Sequence, residues 1–296
     1  MQSANKNRFS YSAVANGIVY VSSSGYNFGP PSYSVVYALD TKTGELKWSY
    51  SETDTFYTSP TVSNNIVYVA SYSSTNYTGA VYALDASTGA VKWKYSTEGG
   101  IYSPPTVANG LVYISGGSDG HVYALDALTG AVKWLRSIEE GVPSTAVANG
   151  IVYVSGGNFY ALNAKTGKTK WSYPTGSQPA IANGVVYIQA GNSLDAFDAQ
   201  RGTLKWSTAN SYAYPIVANG IVYAISAGQL NALSAQTSEL LWYYSANGSF
   251  SSNGYFSSLV VVNGMVYAGG GGVNRVVYTD IEKGMLYAFH LPGTTH

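Results

Sequence analysis

The side chains best suited to proton transfer are few: three histidines and a thin scatter of carboxylates in a chain of 296 residues. His121 opens an apolar run two residues after Asp119, while His290 and His296 sit near the C-terminal end. Glycoside hydrolysis needs two carboxyl groups held across a sugar. Glu52, Asp54, Glu98, Asp119, Glu139, Glu140, Asp280 and Glu282 have no spacing that singles out such a pair. The chain has no cysteine, which removes disulfides, thiolate zinc sites and cysteine nucleophiles. No GxSxG, HExxH, phosphate-loop or calcium-loop pattern occurs. The glycine run Gly269–Gly272 lacks the lysine and helix that phosphate cradling requires. No catalytic, cofactor-binding or metal-binding residue is therefore nominated.

Recognition is better provided for than catalysis. Aromatic residues make up 14% of the chain. Many fall in its long irregular stretches: Tyr26, Phe28, Tyr33, Phe56, Tyr57, Tyr72, Tyr77, Tyr255, Phe256 and Tyr278, with Tyr244 and Phe250 beside them. Rings with polar tips suit sugar stacking and protein contact alike. The alternative is that they pack the long loops against one another.

The elements that must position these rings come from a repeat. A phrase of the form Asn-Gly-x-Val-Tyr starts at Asn16, Asn64, Asn109, Asn149, Asn183, Asn219 and Asn263, with Asn65 in place of glycine once. Successive starts are 34 to 48 residues apart. A strand-rich period near 40 predicts a β-propeller in which each repeat is one small sheet. In the third copy, Pro104–Ala108, Leu111–Ser115, His121–Asp126 and Ala131–Leu135 read as four antiparallel strands, with tight turns at Asn109-Gly110 and Thr129-Gly130. The predicted fold is all-β: a single domain over 1–296 with blades near 13–50, 58–95, 103–136, 144–173, 178–208, 214–244 and 257–296.

A second phrase, Ala-x-Asp-x-x-Thr-Gly-x-x-x-Trp, crosses the third strand and its turn. It is complete at Ala38–Trp48, Ala83–Trp93 and Ala124–Trp134. The fourth copy carries Asn163 for Asp and ends at Trp171; the fifth carries Arg201 for Thr and ends at Trp206. The sixth is worn, with Ser234 and Ser238 before Trp242. This phrase resembles the tryptophan-docking motif of pyrroloquinoline-quinone-type propeller repeats, over nearly the whole chain. The resemblance implies that Trp48, Trp93, Trp134, Trp171, Trp206 and Trp242 are structural, each tying its blade to the next.

Quinoprotein dehydrogenases share this blade text, but the family's enzymes are usually larger and eight-bladed, with a calcium site and a vicinal cysteine pair. Seven units without cysteine resemble instead the non-catalytic branch, which includes an outer-membrane assembly lipoprotein and sensor domains. Neither the quinone nor calcium is expected. The seventh copy reaches Ala288 and His290 and stops before any Trp, so the segment 4–12 is expected to complete the last blade.

The Asn-Gly and Thr-Gly turns mark one face. The other carries loops of variable length, longest at Ser22–Ser34, Ser49–Ser59, Ser71–Ala80, Tyr243–Ser257 and Gly269–Lys283, where recognition is expected. Fifteen basic and fifteen acidic residues balance, so no positive field draws nucleic acid. No apolar run is long enough for a membrane helix. These readings together predict a non-enzymatic, monomeric binding scaffold from a bacterium, extracytoplasmic, for a protein, peptide or glycan. The alternative is a polysaccharide-acting enzyme or, less favoured, a quinone-dependent dehydrogenase.

Overall fold

A computed structural model describes residues 8–24, 34–56, 58–73, 75–117, 119–138, 144–210, 212–227, 229–245, 259–262, 265–271 and 284–290. The chain divides into two compact units, Met1–Thr169 and Lys170–His296.

The first unit holds β1 (Arg8–Ala15), β2 (Ile18–Ser24), β3 (Ser34–Asp40) and β4 (Leu46–Glu52) as its first sheet. The second is β5 (Thr61–Ser63), β6 (Ile66–Tyr72), β7 (Gly79–Asp85) and β8 (Val91–Thr97). The third is β9 (Thr106–Ala108), β10 (Leu111–Ser115), β11 (His121–Asp126) and β12 (Val132–Ser137). The fourth sheet starts with β13 (Ser144–Ala148), β14 (Ile151–Ser155) and β15 (Phe159–Asn163) and ends in β16 (Thr169–Tyr173).

The second unit holds the fifth sheet, β17 (Ala180–Ala182), β18 (Val185–Ala190), β19 (Ser193–Asp198) and β20 (Leu204–Ser207). The sixth is β21 (Ala213–Ala218), β22 (Ile221–Ser226), β23 (Gln229–Ser234) and β24 (Leu240–Ser245). Among the described residues the last has three strands, β25 (Leu259–Val262), β26 (Met265–Gly271) and β27 (Gly284–His290). Every sheet is antiparallel with its strands in chain order, as short hairpins dictate.

Both turn families behave as their residues require. Asn109 and Gly110 have φ of 51° and 75°, the doubly positive geometry of a type I′ hairpin, and the other described copies agree. In the second turn, Asp40 Oδ1 accepts the backbone N–H of Lys42 and Thr43 at 2.9 and 3.0 Å. Asn163 Oδ1 does the same for Lys165 and Thr166, so the amide replaces the carboxylate without loss of the cap.

The core lies between successive sheets. In the first unit one cluster joins Tyr20, Val36 and Trp48 to Val67, Val69 and Leu84. Another joins Tyr68, Val81 and Trp93 to Val112, Ile114 and Leu125. The sheets are stitched by a repeated pair of donors. Trp48 Nε1 and Tyr20 Oη both donate to the Ala86 carbonyl, at 2.9 and 3.1 Å. Trp93 and Tyr68 share Ala127 O, Trp134 and Tyr113 share Ala164 O, and in the second unit Trp206 and Tyr187 share Ala235 O. Trp171 donates to Ala199 O. The tyrosine of the Asn-Gly-x-Val-Tyr phrase is thus a partner of the tryptophan, a role its sequence position does not reveal.

A β-bulge explains the fixed spacing of the second phrase. The third and fourth strands of five sheets slip by one residue after the small alanine that faces the indole, as between Ala83↔Trp93 and Leu84↔Val91. The residue skipped is Lys47, Lys92, Lys133, Lys205 or Leu241.

One expectation needs correction. Arg8 to Ser12, read as part of a strand completing the last blade, belongs to β1 and pairs with β2, Arg8 opposite Ser24 and Ser12 opposite Val21. Arg8 to Ser12 continue the strand that the Asn16-Gly17 hairpin already lays against β2, with a bulge between Phe9 and Ser12. Residues 4–7 of that segment lie outside the described residues.

Candidate functional site

In the first unit the ends of strands remote from the Asn-Gly turns are tied to one another by short backbone contacts. Thr55 and Tyr72 exchange two N–H···O bonds of 2.9 Å, which clamps the link after β4 onto the end of β6. Ile101 bridges Gly116, and Gly117 N donates to Gly100 O at 2.7 Å. These ties fix the β6–β7 hairpin, the link between β8 and β9, and the β10–β11 loop as one base.

Three tyrosines stand on that base. Tyr72 lies 6.5 Å from Tyr77 and 5.3 Å from Tyr102, centroid to centroid. Glycines make room for them: a Cβ on Gly100 would run into the Tyr72 ring, and one on Gly117 into the Tyr102 ring. Tyr77, at the hairpin tip, is 67% exposed and Tyr102 is 42% exposed. Tyr77 has φ of 62°, a left-handed conformation that costs a residue with a Cβ about 1 kcal/mol or more. Its backbone N–H is held by Ser73 O at 2.9 Å.

Of the candidate carboxylates that are described, Asp119, Asp54 and Glu52 are engaged, whereas Glu98 is exposed. Asp119 is 5% exposed and accepts from Gly99 N at 3.0 Å, His121 N at 2.9 Å and Tyr123 Oη at 2.7 Å. Burial, then the hydrogen bond and charge of Asp119, push the Tyr123 hydroxyl well above its ordinary range and keep it a donor. His121 Nδ1 is 3.7 Å from Asp119 Oδ1, beyond hydrogen-bond reach, and is buried with no hydrogen-bond partner. Asp54 Oδ2 is approached by Tyr82 Oη at 3.4 Å and Ser71 Oγ at 3.5 Å, while Glu52 accepts from Tyr50 at 2.9 Å. A carboxylate engaged by backbone N–H groups and a tyrosine orders loops; it has little capacity left as a general base. Among the described residues no three histidines or carboxylates come together.

The sequence-predicted set divides accordingly. Tyr72 and Tyr77 meet in the exposed row. Phe56 does not: it is fully buried, edge-on to Tyr82 at 5.5 Å and 6.5 Å from Tyr50, because the Thr55–Tyr72 bridge turns it inward. Tyr26, Phe28, Tyr33, Tyr57, Tyr255, Phe256 and Tyr278 lie outside the described residues, as do Phe250, Glu139, Glu140, Asp280, Glu282 and His296. Tyr244 lies on β24, in the second unit.

Two residues of interest were missed by sequence reasoning. Tyr102 was passed over because it lies in a short link, though an aromatic before Ser103-Pro104 is itself a signal. Asp195, 2% exposed in the second unit, occupies the third-strand position that Tyr82 and Tyr123 fill elsewhere. It accepts from Ser207 Oγ at 2.5 Å and from Tyr173.

The family model described as outer membrane protein assembly factor BamB matches the chain over residues 4–78, 34–144 and 135–289. No curated protein matches it. Among solved structures, BamB from Moraxella catarrhalis is similar, with 21% identity and a TM-score of 0.64 over 85% of this chain and 76% of that one. The quinohemoprotein alcohol dehydrogenase ADHIIG from Pseudomonas putida HK5 is 16% identical with a TM-score of 0.65, over 88% of this chain and 62% of that one. The computationally designed Ika8 protein is 13% identical with a TM-score of 0.70, over 95% of each chain. At these identities the likeness between structures is one of fold alone, an all-β propeller of the quinone-type repeat.

Proposed function

The chain belongs to the family described as outer membrane protein assembly factor BamB, and from that premise we propose that it is a non-enzymatic binding scaffold, a seven-bladed bacterial propeller that works outside the cytoplasm. Its partner is a protein or peptide. A single observation carries this reading: the row Tyr77–Tyr72–Tyr102 is exposed at its two ends and held by glycines and backbone bridges. Rigid aromatics with polar tips bind with little loss of side-chain freedom, which is why they concentrate in binding hot spots. No helix among the described residues is long and apolar enough to cross a membrane.

A glycan would use the same rings, and a quinone-dependent dehydrogenase or polysaccharide-acting enzyme would share the same fold. Three assays separate them. Affinity capture from the envelope fraction of a Gram-negative bacterium is expected to recover a protein whose retention falls at least about tenfold with the double variant Tyr77→Ala/Tyr102→Ala, a loss of about 1.4 kcal/mol or more. The melting temperature should stay within about 2 °C, both rings being surface groups. Unchanged retention overturns the assignment to this row. A sugar bound on a glycan array, or heat released with pyrroloquinoline quinone and calcium, overturns the protein-scaffold reading itself.

A further inference from the structure

Two cations of the first unit depart from the repeat at places that face each other. In the outer strands the second residue after the tryptophan is Tyr50, Tyr95, Tyr173 or Tyr244, and once Thr208; in β12 it is Arg136. Tyr50, Tyr95 and Tyr173 each meet a ring of the next sheet, 5.8 Å from Tyr82, 5.8 Å from Tyr123 and 4.8 Å from Phe197. Arg136 puts a guanidinium at that place. In the turn between third and fourth strands, the residue after the left-handed position is Glu45, Ala90, Ala131, Thr203 or Glu239. In the turn after β15 it is Lys168.

The fold brings the two departures together. Gly167, at φ 67°, lets its turn lie on the Trp134 indole, where a Cβ would come 2.8 Å from the ring. Trp134 Nε1 donates to Ala164 O at 2.8 Å, and the two contacts hold the turn beside the end of β12. Between them is a cavity of about 350 Å³ lined by Leu135, Arg136, Ser137, Thr166, Gly167 and Lys168. Arg136 Nε is buried and has no hydrogen-bond partner among the described residues. Elsewhere the turn carboxylates answer a lysine: Asp40 meets Lys47, Asp85 meets Lys92 and Asp126 meets Lys133. The turn beside Arg136 is capped by the neutral Asn163, and neither Arg136 nor Lys168 forms an ion pair with a described residue.

We infer that this cavity binds a phosphate monoester group, either free or carried on a lipid headgroup. Two cations without a counter-charge call for about two negative charges, which a phosphate monoester carries near neutral pH and a carboxylate does not. The guanidinium offers a planar fork of donors, Lys168 a point charge and Ser137 a hydroxyl, which suits an anion with three acceptor oxygens. Leu135, an exposed apolar side chain on the wall, gives contact to whatever bears the phosphate. The site shares no residue with the Tyr77–Tyr72–Tyr102 row.

Calorimetric titration of the full chain with inorganic phosphate, near neutral pH, is the test. Saturable binding with a Kd below about 1 mM is expected, and acetate should bind at least about tenfold more weakly. Arg136→Tyr and Lys168→Ala install residues that the chain carries at the same places in other sheets, so both variants should keep a melt close to wild type. Each is expected to weaken phosphate at least about tenfold. Vesicles of phosphatidylcholine with and without phosphatidic acid separate the two sources. Capture by phosphatidic acid that inorganic phosphate reverses supports a headgroup; binding in solution alone supports a free phosphate. Absence of both overturns the proposal. So does phosphate binding that a folded Arg136→Tyr variant retains, or acetate bound as tightly as phosphate. Binding that appears only when Glu139 and Glu140 are both changed to glutamine also overturns it, since the cations would then be neutralised within the chain.

Discussion

The shared carbonyl acceptors invite a direct perturbation. Ala127 O receives Trp93 Nε1 and Tyr68 Oη, each at 3.0 Å, and all three residues are buried. Tyr68→Phe removes one donor and leaves the other, so the carbonyl stays satisfied and the loss is about 1 kcal/mol. Trp93→Phe removes the second donor together with part of the indole area, for about 2–3 kcal/mol. The double variant leaves a buried carbonyl with neither donor, which adds the desolvation penalty of about 1–3 kcal/mol. The expected outcome is a double variant less stable than the sum of the singles by about 1–2 kcal/mol. Urea unfolding followed by tryptophan fluorescence and circular dichroism gives the three values, compared at equal slope. Tyr223→Phe is an internal control. Among the described residues the buried Tyr223 hydroxyl has no hydrogen-bond partner, so its removal should cost little. Additivity of the Ala127 pair within about 0.5 kcal/mol would refute the reasoning.

The turn glycines separate backbone strain from packing. Gly130, at φ 73°, would set an alanine Cβ 2.8 Å from the Trp93 ring, whereas Gly44, at φ 72°, has nothing within 4 Å. Gly44→Ala should therefore cost about 1 kcal/mol of left-handed strain, and Gly130→Ala about 2–4 kcal/mol, with equal losses in thermal melts counting against a packed indole. Alkaline titration tests the buried hydroxyls. Burial raises Tyr68 to about 12, with the charge of Asp126 adding to it, and burial alone raises Tyr113 and Tyr223 to about 12. The unfolded chain loses these protons near pH 10 and the folded chain near 12. Stability is therefore full below pH 10 and falls as pH rises from 10 to 12, read by tyrosinate absorbance and melting temperature together. A melting temperature flat to pH 12 would contradict it.

Much of this architecture was legible because the repeat states it several times. Asn109-Gly110 and its counterparts announce hairpins through residues that tolerate positive φ, and the hairpins in turn set antiparallel order. The tryptophans declared themselves by recurring at one spacing. What stayed hidden depended on contacts distant in sequence. The acceptor of Tyr20 lies 66 residues on, and that of Tyr187 lies 48 on, so no local pattern reports the shared carbonyl. Phe56 and Tyr77 look alike as loop aromatics; a bridge to Tyr72 buries one, and a left-handed tip exposes the other. Arg8–Ser12 alternates as an edge strand would for either neighbour, and it is found continuing the hairpin partner of β2.

Departures from the repeat are where this chain says something beyond its fold, and they sort by whether the structure compensates them. Asn163 for Asp keeps the same two N–H bonds, and Asp195 for Tyr recruits Ser207 and Tyr173, so each change is absorbed where it occurs. Leu241 for Lys is different. Lys47, Lys92 and Lys133 pair with Asp40, Asp85 and Asp126, whereas Leu241 and Ser234 replace both partners, the bulge remains, and the exchanged side chain stays half in water. A buried substitution can be explained by its neighbours. An exposed apolar one gains little from its own sheet, and the solvent side of β24 is the more apolar for it.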